Sequence, residues 1–149
     1  MSLSTLKLPP LLALVSALLL GAAPALAEDS IHTLVAVTTE GGCANALGYV
    51  VEVGERDKAR RAAEEKAQAQ YPTLKQRNHK DNLNKSKVSM GRHLVVLSAG
   101  ITKEGCTGRA MGVGFGTDEA SAQKDAKKNL GKNFPFNDGA LKVEHSQRY

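Results

Sequence analysis

The sequence lacks the arrangements that usually announce an enzyme. Its four histidines (His32, His79, His93 and His145) stand far apart. No H-x-x-x-H or H-E-x-x-H pair places two imidazoles on one helix face, so no metal site is expected. No G-x-S-x-G elbow occurs, which removes the strand-to-helix nucleophile of the α/β-hydrolases. Glu64 and Glu65 fall beside Arg60 and Arg61, where ion pairing accounts for them; acid–base carboxylates need burial to separate their pKa values. Cysteine is scarce too. Cys43 and Cys106 are neither CxxC-spaced nor flanked by histidine, which argues for a structural disulfide over redox or zinc chemistry. No cofactor is implied, and an enzyme is not expected.

Long apolar runs are missing beyond the first 27 residues. Lys7 supplies a positive start, Leu11 to Leu20 is uncharged, and Ala25-Leu26-Ala27 offers small residues for a signal peptidase. Residues 1–27 therefore read as a cleaved leader, with Glu28 as the mature N-terminus. The apolar run falls short of the about 20 residues a span needs, so no integral membrane segment is expected after cleavage. The mature chain, 28–149, is expected to be periplasmic or secreted from a bacterium. The formal charge of +5 falls to +4 without Lys7, too little for a polycation. About 120 residues suffice for one domain with a core.

What is present is a duplication. Leu34, Ala36, Thr39, Gly42 and Cys43 recur 63 positions later as Leu97, Ala99, Thr102, Gly105 and Cys106. The register continues through Ala59/Ala122 and Ala63/Ala126 to Tyr71/Phe134 and Pro72/Pro135. The copies span 31–72 and 94–135. Each reads as strand, turn, strand, helix. Ile31 to Thr39 is β-branched and apolar, Leu47 to Val53 alternates, and Asp57 to Gln70 is rich in helix formers with an alanine stripe. In the second copy, Val95 to Thr102 and Met111 to Gly116 are the strands, with Thr117 as N-cap and Gly131 as the stop.

Leu141 to Tyr149 adds a closing strand. The fold class expected is α+β, a duplicated ββα-ββα-β with an antiparallel sheet and two helices packed on one face. A Cys43–Cys106 bond would clamp the copies, adding roughly 4 kcal/mol on the chain-entropy model.

The second strands align only after a one-residue slip, which sets Tyr49 over Val113 and Val51 over Phe115. A one-residue shift exchanges the faces of a strand, so Gly112, Gly114 and Gly116 are expected to face away from the helices. They alternate within a strand and do not form the turn of a phosphate-binding G-x-G-x-x-G. A flat, open sheet face for a partner is the expectation there.

The other candidate surface is residues 73–92, where the copies differ most. This segment holds Lys75, Arg77, Lys80, Lys85, Lys87 and Arg92 against Asp81 alone. It shows no helical or alternating pattern, and is expected to be a long basic loop. A polyanion such as lipopolysaccharide or an anionic glycan would suit its charge. It contains no aromatic residue, so base stacking is not supported.

The stretch Cys106…Gly112-Val113-Gly114-Phe115-Gly116…Ala120…Ala122…Ala126, with its looser copy from Cys43 through Gly48-Tyr49 to Ala63, resembles a group of secreted bacterial domains of unknown function. These are built from tandem ββα units with a glycine-aromatic strand and an alanine-rich helix. The resemblance implies export and fold, and carries no functional residues. The function expected is a non-enzymatic binding module, an inhibitor or immunity-type protein directed at a hydrolase or toxin. The alternative is an envelope-surface or polyanion binder acting through 73–92.

Overall fold

A computed structural model describes residues 29–103, 105–132 and 140–149. The expected leader, Glu104 and the Phe134-Pro135 end of the second copy lie outside the described residues. The chain runs β1 (Ser30–Glu40), β2 (Cys43–Gly54), α1 (Arg56–Gln70), β3 (Gln76–Asp81), β4 (His93–Lys103), β5 (Cys106–Gly116), α2 (Glu119–Gly131) and β6 (Lys142–Arg148). The α+β class and the repeated strand-strand-helix pattern are present. Each copy also has a third strand, so the repeat is ββαβ.

The strands divide between two antiparallel three-stranded sheets, ordered β2-β1-β3 and β5-β4-β6. The central strands explain why there are two sheets where one was expected. Ile31 to Val37 on β1 and Leu94 to Ala99 on β4 are buried residue after residue. A strand with one wet face would instead alternate apolar with polar. Ile31, Val35, Leu94, Val96, Val113 and Phe115 form the core between the sheets. The alternate residues face the helices: Leu34, Ala36 and Val50 meet Ala63 and Ala67 of α1, while Val95 and Leu97 meet Ala122 and Ala126 of α2. The order is helix, sheet, sheet, helix, with the two sheets face to face.

The slip between the copies has a local cause. Ala36 pairs with Gly48 but Val37 pairs with Ala46, so Leu47 is an extra residue, a β-bulge, in β2. β4 and β5 pair without interruption. Because Thr33 pairs with Val51 and Val96 with Val113, Val51 corresponds to Val113 and Tyr49 to Met111. The slip thus runs opposite to the expected sense; Tyr49, Val51, Val113 and Phe115 still share one face, but it is the face between the sheets and not the helix side.

Helix α1 starts from Glu55, whose side chain accepts from the Asp57 N–H, and ends at Tyr71 just before Pro72. Helix α2 is capped by Asp118, one residue after the expected Thr117, in a reciprocal box with Ser121. Cys43 and Cys106 form the expected disulfide between the β1–β2 and β4–β5 turns, with Cα atoms 5.4 Å apart. No described helix is long and apolar enough to cross a membrane.

Candidate functional site

The glycine strand is not an open surface. A Cβ built on Gly112, Gly114 or Gly116 would run into α2: into Ala126 and Leu130, into Ala122 and Ala126, and into Ser121 and Ala122 respectively. This overturns the expected outward-facing glycines, because the bulky residues of β5, Val113 and Phe115, are not on the helix side. They face the opposite sheet, so the glycines lie beneath the helix. Their missing side chains let α2 settle onto β5. There Asp125 Oδ2 accepts from the Phe115 N–H at 3.1 Å and Asn129 Nδ2 donates to Val113 O at 2.8 Å. These bonds occupy backbone groups of an edge strand, where they would otherwise invite another chain.

The basic segment is ordered as well. Residues 76–81 pair with β1 as the edge strand β3. The polar strand was hidden because neither of its faces is strongly apolar. Arg77, His79 and Asp81 lie on the α1 side, while Asn78 and Lys80 turn toward the other sheet. The six cations do not converge. Lys80 pairs with Asp125 of α2 at 2.8 Å, Arg77 donates to Gln68 at 2.8 Å, and Arg92 donates to the carbonyls of Tyr149 and Asp29. Lys75, Lys85 and Lys87 are exposed.

Beyond β3, residues 82–90 form a compact tip held by one buried side chain. Asn82 is fully buried; its N–H donates to Ile31 O, its Oδ1 accepts from Ile31 N at 2.9 Å, and its Nδ2 reaches Ser89 Oγ and Gly91 O. Met90 N closes onto Asn82 O at 2.7 Å, and the Asn84 side chain accepts from the N–H groups of Ser86 and Val88. Lys87 is the one non-glycine residue with positive φ among the described residues, at 60°, a conformation that is held at some cost. The tip presents Val88, 60% exposed, and Met90, 36% exposed, beside Lys85 and Lys87.

Under β3 lies a grouping that sequence spacing did not reveal. His93 and His145 do not meet; they bond to Ser146 and Tyr149 instead. His32 and His79 do, with His32 Nε2 2.9 Å from His79 Nδ1. His79 Nε2 faces Glu64 Oε1 at 3.4 Å, and the same carboxylate oxygen takes Arg60 Nε at 3.3 Å. Asp81 at the end of β3 pairs with Arg56 at 2.9 Å. The network assigns the tautomers. A proton on His79 Nε2 serves Glu64, leaving Nδ1 to accept from His32 Nε2–H. His32 Nδ1 is then a bare lone pair, buried without a partner.

Burial first, and then the charge a protonated His79 would carry, holds the His32 imidazole down at about 4, against the pull of Asp81. His79 is lowered too, by burial and by Arg60, with Glu64 opposing. Both imidazoles are neutral at pH 7. The unfolded chain takes up a proton near pH 6.5 that folded His32 refuses until about pH 4. Stability should therefore fall as pH drops through that window. With allowance for solvent screening, the loss from His32 is about 2 kcal/mol. Urea midpoints at pH 7 and pH 4.5 should separate for the native sequence and draw closer for His32→Gln.

No family model, no curated protein and no solved structure matches this chain. Among the described residues, no group of three or more His, Cys, Asp or Glu is arranged to hold a metal ion.

Proposed function

We propose that this chain is an exported, non-enzymatic binding module that grips another protein as an inhibitor or immunity-type factor. The observation that carries this reading is the ordered tip at 82–90, which exposes Val88 and Met90 next to Lys85 and Lys87 on a frame anchored by buried Asn82. Association is costly when loops must be ordered on contact, and a loop already held loses less entropy on binding. Single exposed apolar residues are ordinary on protein surfaces. Two on one rigid turn, with a basic rim, suit the apolar centre and polar margin of a protein interface. The complementary partner surface is an apolar pocket edged with carboxylates. The half-buried disulfide suits a periplasmic or secreted setting.

The polyanion reading gains less support, because Lys80 and Arg92 are engaged within the fold. The two readings differ in their response to salt. Immobilised protein should capture a partner from the producer's envelope extract or from competitor lysates, and keep it at high ionic strength. Val88→Asp should weaken capture at least about tenfold. Replacing Lys75, Arg77, Lys80, Lys85 and Lys87 together with Gln should reduce it only modestly. The opposite pattern, loss in salt and in the Gln variant with Val88→Asp unaffected, would hand the function to polyanion binding.

A further inference from the structure

The space between the sheets is filled at one end and hollow at the other. Ile31, Leu94, Val113 and Phe115 pack one end. Toward the disulfide the inward residues of β2 shrink to Ala44 and Ala46, facing Met111 of β5. A cleft of about 390 Å³ opens there, past the edge of β5 toward α2, lined by Val35, Val37, Ala46, Met111 and Leu130 and by Arg109. A smaller chamber of about 230 Å³ shares Val35, Asn78, Met111 and Asn129 with it, so the two make one cleft. Ligand sites run to about 300–1,000 Å³ with apolar walls and a few placed polar groups. This cleft is of that size and pairs an apolar side with a polar one, and the Cys43–Cys106 bond ties the turns leading into two of its walls, β2 and β5.

We propose that the cleft between the sheets binds a small amphiphile with an apolar body and an uncharged hydrogen-bonding head. Gln76 and Asn78 of β3 and Asn129 of α2 line the cleft with carboxamides, which offer donors and acceptors without charge. Asn129 spends its Nδ2 on Val113 O, leaving its Oδ1 available. Arg109 and Lys80 line the cleft as well, and each is matched inside the protein: Arg109 by Glu144 at 2.7 Å and Lys80 by Asp125 at 2.8 Å. Lys132 borders the smaller chamber, so head charge needs its own arm in the test.

Besides Met1, the methionines are Met90 on the tip and Met111 in the cleft wall. Methionine-methyl NMR therefore reports the two places separately in the unaltered protein. Adding the neutral probe N-phenyl-1-naphthylamine should move the Met111 signal to saturation and leave Met90 in place. Ala44→Leu and Ala46→Leu, which fill the hollow, should weaken dye binding at least tenfold, whereas Val88→Asp should leave it unchanged. An unmoved Met111, or unsaturable drift of both signals, would overturn the proposal whether or not the filled variants fold. Equal binding by folded filled variants would overturn it too. Tighter binding of the anionic 8-anilinonaphthalene-1-sulfonate would overturn the uncharged head. Because the tip and the cleft have separate reporters, failure of one reading leaves the other standing.

Discussion

Replacing Gly114 with alanine is expected to remove about 4 kcal/mol of stability, a large part of what a domain this size possesses. The new methyl group would overlap the backbone of Ala122 and Ala126 in α2. Neither atom belongs to a flexible side chain, so relief requires lifting the helix off the strand. Lifting it also breaks the bonds from Asp125 to Phe115 N–H and from Asn129 to Val113 O. Buried backbone groups left without partners add to the loss. Gly100→Ala is the control, because nothing lies within 4 Å of its Cβ position, and its change should stay within about 0.5 kcal/mol. Urea unfolding of both variants beside the native protein measures the difference. A Gly114→Ala midpoint equal to that of Gly100→Ala would mean that α2 does not rest on β5.

Removing the disulfide should have an effect of similar size. Cys43 and Cys106 are 63 residues apart, and closing such a loop restricts the unfolded chain by about 4 kcal/mol on the entropy model. The double variant Cys43→Ser/Cys106→Ser should therefore melt about 15 °C lower. Intact mass after alkylation supplies the chemical check: two thiols should appear only when the protein is reduced first. Alkylation of both without reduction would remove the bridge from the account. The double variant should also bind dye in the cleft more weakly, because the bond ties the turns at that end.

Much of the fold was legible because its signals are local. The 63-residue echo, the alanine stripes of α1 and α2, and the paired cysteines all survive in the structure. The third strand was not legible. Gln76–Asp81 is polar on both sides, and its pairing depends on β1 lying alongside. With that strand unseen, residues 73–92 read as a loose basic loop, and the meeting of His32 with His79 had no visible cause. The histidines are 47 positions apart, and only the register that sets Leu34 against His79 and His32 against Asp81 brings them together.

Gly112, Gly114 and Gly116 mark the division most sharply. Their alternation was evident from sequence, and it required a strand with one face of bare backbone. Alternation has no absolute sense, however: it separates two faces without saying what covers either. The second sheet supplied the answer by claiming Val113 and Phe115 for the inter-sheet core, which left the glycines to α2. Sequence by itself determined the duplication, the strand-strand-helix order of each copy and the bridge, all of which rest on short-range chemistry or recurrence. Tertiary structure alone decided two sheets over one, the edge position of β3, the buried histidine pair and the cleft. Those depend on which surfaces meet across the core, and burial is a property of the assembled chain.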